Sequence, residues 1–379
     1  MNQEHKDIKY FIPFGESIHG FANQSFVPKT EINNVLRSRG IFALNREKTF
    51  TVPILQTLLL SPKEFDQLRN AYTCKEDKFK TISREIDWTD NVDLSVINKI
   101  PTDITNYVKT HLPTCELKTP VRFVKVGDDF DQVRAEFTIS RHDINKSWYE
   151  QTNEFSGSIE FINENGRGRI VIKHTAPETK TIAEQIVKIK VKQFKDNNMI
   201  PQNSIPKRIL FNEFNNIERF AFFYRLTSNI QDNNIFMFKD IKDISIKPDE
   251  NCDVLPEEIE WMKKMKRIII SGDSLGQTFF MKDKRFHESL ILWHIVAIFD
   301  FDYKGEKGTM IADLGFPDYT KKGDSAEFEI SISILTNKKQ SDTKNQKRLV
   351  SDLQSEFDKQ KSLVYNNFTM YLKQKVNTL

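Results

Sequence analysis

Cysteine is scarce in this sequence of 379 residues: Cys74, Cys115 and Cys252 are odd in number and far apart, with no Cys-x-x-Cys pair and no Cys/His cluster. That pattern supports neither a disulfide framework nor a structural zinc site and leaves ordinary reduced thiols. Long apolar runs are missing as well. The strongest, 290–299, is short and carries His294 within it, too little to cross a bilayer. The first residues, MNQEHKDIKYF, hold no basic-then-apolar leader, so a cytoplasmic protein without membrane association is expected. Charge of one sign is lacking too. The 56 Lys+Arg against 53 Asp+Glu leave a net +3, which confines any nucleic-acid surface to a local patch. Only 16 of the basic residues are Arg. Because Arg supplies most bidentate guanine contacts, sequence-specific base reading is disfavoured. Neither Gly-x-x-x-x-Gly-Lys nor Gly-x-Gly-x-x-Gly occurs, so nucleotide hydrolysis has no support and no cofactor is expected.

What the sequence has in quantity is phenylalanine, 30 residues against 9 Tyr and 4 Trp, which fits a folded chain rather than a disordered one. The length allows two or three domains. Residues 1–75 read as a helical module. Apolar spacing at Ile32, Val35 and Leu36 ends at Gly40, a helix C-terminal residue. A second helix is expected over 52–60, with Pro53 in its first turn. A third opens at Ser61-Pro62-Lys63-Glu64 and carries Phe65, Leu68 and Tyr72 inward. Residues 76–120 read as a bridge with short helices at 94–97 and 104–112. The period then changes to two, predicting strands at 121–126, 133–140, 155–162 and 170–174, with turns at 127–129 and 164–166. A helix follows over 177–194, a short strand over 208–211 and an aromatic-rich helix over 212–226. A second strand-rich block is expected at 235–238, 241–246, 267–271, 291–303, 308–314 and 326–335, with a helix at 256–265 and a hairpin turn at 302–308. After a polar linker at 336–342 comes one long amphipathic helix to about 375. The fold class is therefore α+β: an N-terminal helical module, two antiparallel strand-rich blocks with packed helices, and a long C-terminal helix. The expected domains are 1–75, 76–230, 231–336 and 341–376.

Three motifs invite a catalytic reading. Gly272-Asp273-Ser274-Leu275 resembles the nucleophile block of GDSL hydrolases, but the Asp-x-x-His block of that family is missing: Asp283 and His287 are four apart, and His294 lies within an expected strand. A capped turn is the plainer reading. His287-Glu288 begins like a zinc-protease helix without the second His. A nuclease needs paired carboxylates and a Lys to bind Mg²⁺ and activate water. Asp300, Asp302 and Lys304 are close in sequence, and Glu327 and Glu329 fall on the next strand but one, yet neither Glu is followed by Lys two residues on. A solvated strand face explains Asp300 and Asp302 equally well. No catalytic residue and no metal site is assigned.

Two basic groups are candidates for DNA phosphates. Arg37, Arg39, Arg46 and Lys48 flank the Gly40 turn, in a helix–loop–helix pattern that resembles the small SAP-type DNA-binding module; cations at a helix end are also favoured by the helix dipole alone. Lys188, Lys192 and Lys195 form one face of the 177–194 helix, with Lys190 nearby. Such a face can neutralise phosphates, and it is equally an ordinary solvated face.

Six stretches together resemble one family. They are Phe11-Ile12-Pro13-Phe14-Gly15-Glu16, Leu36-Arg37-Ser38-Arg39-Gly40-Ile41-Phe42 and Leu58-Leu59-Leu60-Ser61-Pro62-Lys63-Glu64-Phe65, then His174-Thr175-Ala176-Pro177-Glu178-Thr179, Pro256-Glu257-Glu258-Ile259-Glu260-Trp261-Met262 and Phe279-Phe280-Met281-Lys282-Asp283-Lys284. They look like the B subunit of the fourth gamma-mobile-trio (GMT) anti-phage defence system, of the GapS type. The resemblance implies a two-protein complex in which a partner subunit carries a restriction-endonuclease-like DNase domain. The expectation is then a non-catalytic regulatory or DNA-sensing subunit, bound to a nuclease partner and to DNA without sequence preference. The alternatives are an enzyme in its own right, either a divergent Mg²⁺ nuclease or a Ser hydrolase, or a purely structural scaffold.

Overall fold

The computed structural model describes residues 11–25, 27–76, 78–89, 94–95, 97, 102–127, 131–143, 145–164, 167–228, 235–252, 255–335 and 343–376. Of the expected helix at 94–97 all but residue 96 is described, and Ile97 N–H donates to Leu94 O at 3.0 Å; the turns at 127–129 and 164–166 and the linker at 336–342 lie wholly or largely outside the described residues, as does the side chain of Tyr72. The chain divides into two compact units, one of residues 1–78, 88–166 and 172–202, the other of 79–87, 167–171 and 203–379. The architecture is α+β.

The first unit opens with four helices, α1 (Glu16–Ala22), α2 (Lys29–Ser38), α3 (Lys48–Gln56) and α4 (Pro62–Glu76). Ile32, Val35 and Leu36 point α2 into a core shared with Ile18, Phe21, Leu55 and Phe65. The end of α2 is a Schellman turn: Gly40 takes φ 75°, Gly40 N–H donates to Arg37 and Ile41 N–H to Leu36. A glycine fits there because it lacks the Cβ that makes positive φ costly. Helix α3 begins four residues before its expected start, which puts Pro53 inside it rather than in its first turn. At α4 the Ser61 hydroxyl and Glu64 carboxylate bond each other's backbone N–H, a reciprocal cap. Trp148 and Tyr149 close over this core, with Phe21 5.4 Å from Tyr149 and Trp148 Nε1 donating to Ser17 O at 3.2 Å.

After α5 (Thr105–His111) come β2 (Cys115–Leu117), β3 (Phe123–Lys125), β4 (Gln132–His142) and β5 (Thr152–Glu164), with β4 paired antiparallel to the other three. Helix α6 (Pro177–Asp196) packs on β5 through an inner row that includes Ile182, Ile186 and Phe194. The Phe194 ring meets Phe161 edge-on at 5.0 Å and Trp88 at 5.2 Å. Strand β6 (Arg167–His174) contributes residues to both units.

The second unit is built on six antiparallel strands in the order β1-β11-β10-β9-β7-β8. They are β1 (Lys80–Asp87), β7 (Phe236–Pro248), β8 (Ile268–Ser271), β9 (Leu290–Tyr303), β10 (Glu306–Gly315) and β11 (Glu329–Leu335). Helix α7 (Asn216–Ser228) packs on β9, and α8 (Thr343–Val376) on β11 and α7. The Phe surplus is spent here: Phe357 of α8 sits 5.4 Å from Phe236 and 5.5 Å from Phe299, and Phe368 stacks beside Phe214 and Phe222. Among the described residues, no helix is long and apolar enough to cross a membrane.

Several elements differ from expectation. The bridge at 76–120 contains a full strand, β1. The two short strands at 235–238 and 241–246 are one strand, β7, whose register shifts three times against β9. The helix at 256–265 is a 3-10 turn at Glu257–Met262. The strand at 208–211 reduces to an isolated bridge between Leu210 and Glu327. The helix expected from 212 starts at Asn216, where Asn215 and Glu218 cap each other's backbone N–H.

Charge is buried in this second unit. Arg84 and Glu327, 2% and 6% exposed, form a two-bond pair at 2.7 Å each. Asp358 of α8 takes Lys361 at 2.8 Å and the Ser83 hydroxyl at 2.9 Å, with Arg169 at 3.6 Å. Burial alone raises the Asp358 pKa, but Lys361 and Arg169 outweigh it and the carboxyl ends below its ordinary range.

Candidate nucleic-acid interface

Lys188 and Lys192 are exposed on the outer face of α6 and Lys195 is half-buried beside them. One turn of helix separates neighbours, so the three ammonium groups form a single row. None is ion-paired to a described carboxylate. Lys190 does not belong to this row. It is fully buried, donates to Ile97 O at 3.4 Å, and lies 5.2 Å from the Phe123 ring centroid. The sequence signal was available: position 190 falls in step with Ile182, Ile186 and Phe194 of the inner face. Burial pushes the Lys190 pKa from the ordinary 10.5 down to about 8. A lowered lysine pKa means that folding is penalised while the group must carry charge. That penalty is full below pH 8 and is relieved as pH rises towards 10.5. Lys190→Met is expected to stabilise the unit at pH 7 by on the order of 2 kcal/mol and to flatten the alkaline rise. Denaturant titrations at pH 7 and pH 10 check this, and a loss at pH 7 or an equal gain at both would contradict it.

The four basic positions of the N-terminal module divide into two pairs. Arg39 grips Glu64 with two bonds of 2.6 Å and donates to Leu59 O, tying α2 to the start of α4. Lys48 donates to Gln24 O at 2.6 Å. Arg37 and Arg46 are exposed. The Arg39 hydrogen bond, helped by Ser61, holds the Glu64 carboxyl down from 4.5 to about 2. A depressed carboxyl adds stability that is full above pH 4.5 and is lost as pH falls through 2. Amide-exchange protection of α2 and α4 should therefore drop across that acid window, and Glu64→Gln should remove the drop while weakening protection at neutral pH. A drop of the same size in the variant would assign it to other groups.

The groups that invited catalytic readings have other engagements. Ser274 has φ 59° and its N–H donates to Asp240 Oδ2 at 2.9 Å, in an exposed turn. His287 stacks on Phe220 at 4.1 Å and donates from Nε2 to Met281 O. Across the β9–β10 hairpin, Asp300 accepts from Thr309 at 2.7 Å and faces Lys239, while Asp302 pairs with Lys307 at 2.7 Å. The Thr309 bond, then Lys239, hold Asp300 below the usual carboxylate range. Lys304 sits in the hairpin turn with φ 51° beside Gly305 at φ 85°, the left-handed pair that a two-residue turn requires. Glu327 is spent on Arg84. Among the described residues, no group of three His, Cys, Asp or Glu is placed to hold a metal ion.

Residues 16–78 match the family model described as the GAPS4b protein N-terminal domain, which covers the helical module α1–α4. The match covers 63 of the 379 residues and agrees with the resemblance of the sequence to GapS4b-type subunits. No curated protein matches the chain. Among solved structures it is similar to DynU16, from the dynemicin biosynthetic locus, at 9% identity over 76% of this chain and 99% of that chain, with a TM-score of 0.16.

Proposed function

We propose that this chain is the non-catalytic, DNA-contacting regulatory subunit of a two-protein anti-phage complex whose cleaving chemistry belongs to a restriction-endonuclease-like partner. The observation that carries the reading is the lysine row Lys188, Lys192 and Lys195, two exposed cations and a half-buried third on one helix face with no carboxylate partner among the described residues. Lysines without guanine-reading arginines beside them suit phosphate contact over base recognition. Arg37 and Arg46 supply a second contact; Arg39 and Lys48 serve mainly to hold the helical module together. The complex works in the cytoplasm, where phage DNA is met.

The division of labour is tested by purifying the chain alone and together with the product of the neighbouring gene. The chain alone should leave DNA intact in Mg²⁺, while the pair cleaves it, with Asp302→Ala and Ser274→Ala in this chain making no difference. Metal-dependent cleavage by the chain alone that Asp302→Ala abolishes would establish an enzyme instead, as would ester hydrolysis lost in Ser274→Ala. Crosslinks from DNA to the partner only would leave a scaffold.

A further inference from the structure

Between the 3-10 turn at Glu257–Met262 and strand β8, Lys263, Lys264, Lys266 and Arg267 are all exposed. None of them has an ion pair or a side-chain hydrogen bond among the described residues. Arg285 reaches Glu258 at 4.0 Å, which sets Lys282 and Lys284 beside the same turn, both exposed and without an ion pair among the described residues. Residues 257–267 and 282–285 thus hold seven cations against four carboxylates, a surplus as large as the net +3 of the whole chain. The carboxylates have local reasons. Glu257, Glu258 and Glu260 lie in the first turn of a helical segment, where its dipole favours acid, and Asp283 is held by Arg285 at 2.7 Å. The same dipole favours Lys263 and Lys264 at its other end, but not Lys266 and Arg267 beyond it.

Large apolar side chains are exposed among these cations. Of the four tryptophans, Trp88 and Trp293 are buried and Trp148 is half-buried, while Trp261 is 59% exposed. Ile259 and Met262 form the inward file of the turn. Trp261 and Lys264 fall three residues apart on an outward file, because i→i+3 bonding continues from Lys263 N–H to Glu260 O and from Met265 N–H to Met262 O. The indole N–H donates to Glu258 O at 3.0 Å, so its one polar group is satisfied and what it offers a ligand is the ring face. Met265 and Ile269 are exposed on the stretch that carries the cations. Phosphates joined to flat, stackable rings are what a nucleic-acid strand presents. A duplex keeps its base faces stacked inside and shows only base edges in its grooves, which leaves the indole unused. An anionic bilayer is flat and would press the three glutamates of the turn against its own phosphates. A single strand can follow the lysine end and leave them in water.

We propose that this patch binds single-stranded nucleic acid, with Lys263, Lys264, Lys266 and Arg267 meeting its phosphates and Trp261 stacking on a base. The patch belongs to the second unit, and its occupancy does not depend on the lysine row of α6.

Tryptophan emission of the full chain, titrated with a short oligothymidylate and with a duplex of the same length, tests this; the difference between wild type and Trp261→Phe isolates the one indole. The single strand should quench Trp261 saturably, and the duplex should not. The quench should persist when Lys188, Lys192 and Lys195 are changed to Gln, which keeps this site apart from the α6 reading. In that background, anisotropy of a labelled strand gives the affinities. Trp261→Ala, at an exposed position, should weaken binding roughly tenfold, and Trp261→Phe, which keeps an aromatic face, should weaken it less. Changing Lys263, Lys264, Lys266 and Arg267 to Gln should make the slope of log affinity against log salt about 2.8 units shallower, at about 0.7 for each contact to a single strand. The proposal is overturned by no quench with the single strand, by an equal quench with the duplex, by loss of the quench in the α6 variant, or by an unchanged salt slope. A blue shift of Trp261 emission on phosphatidylserine vesicles that oligothymidylate does not prevent overturns it in favour of a membrane surface.

Discussion

Replacing Glu327 with alanine should cost the second unit about 3–5 kcal/mol, because it takes from the buried Arg84 charge the carboxylate that meets it through two hydrogen bonds. Both bonds of the pair run at 2.7 Å and both side chains are buried. The attraction that a buried pair gains is largely offset by the water its members lose, so the intact pair is worth little against an apolar substitute. The damage lies in removing one partner alone. A loss of that size is a large share of the stability of an ordinary domain and should lower the melting temperature by roughly 10 °C. The double change Arg84→Met with Glu327→Leu removes both charges and should recover most of the loss. Denaturant and thermal unfolding of the three proteins measure this. A Glu327→Ala loss below about 1 kcal/mol would mean that water reaches Arg84 and that the pair is not truly interior.

The second large effect concerns DNA. If Lys188, Lys192 and Lys195 each neutralise a phosphate, changing all three to Gln should make the slope of log affinity against log salt about 2.7 units shallower, since each contact releases about 0.9 of a counterion. Near 0.15 M salt the affinity of the complex for duplex DNA should fall roughly a hundredfold, and equally for unrelated sequences, because phosphate contacts carry no base information. The measurement is a salt titration of binding by wild-type and triple-variant complexes. An unchanged slope would remove α6 from the interface. Arg39 is a poor addition to such a variant set: its change would loosen α2 from α4, and reduced binding would then report on folding.

Much of the architecture was legible because burial imposes a period. In β4, Val133, Ala135, Phe137 and Ile139 alternate with polar residues, and in α6 the apolar positions recur every three or four residues. Strand β1 escaped because its pattern is inverted by ion pairing. Arg84 sits between Ile82 and Ile86 on one face, while Thr81, Ser83 and Glu85 occupy the other, so neither face reads as apolar. Its polar face is met by Gln354, Asp358 and Lys361 of α8, with Gln354 donating to Thr81 at 2.7 Å. No local pattern announces partners that far away. In β7 the three register shifts break the alternation and hid the continuity of the strand. The lysine row on α6 was readable from spacing alone, apart from Lys190, whose charge masked its inward phase. Arg39 shows the opposite limit: an Arg at a helix end reads as solvated until Glu64, 25 residues away, comes into view.

The pairing of β1 with β11 also sets a timetable for synthesis. Arg84 must wait for Glu327, 243 residues downstream, and Ser83 for Asp358, 275 downstream. At translation rates of about 5–20 residues per second, the β1 segment spends roughly 10–50 s outside the ribosome before its partners exist. The residues of the first unit have all been made by position 202, whereas the second gains β11 and its anchoring helix only after position 328. A nascent chain stalled before residue 327 would present a strand edge that lacks β11 and an Arg84 that lacks Glu327, a natural target for chaperones and for the proteases that clear unfinished products.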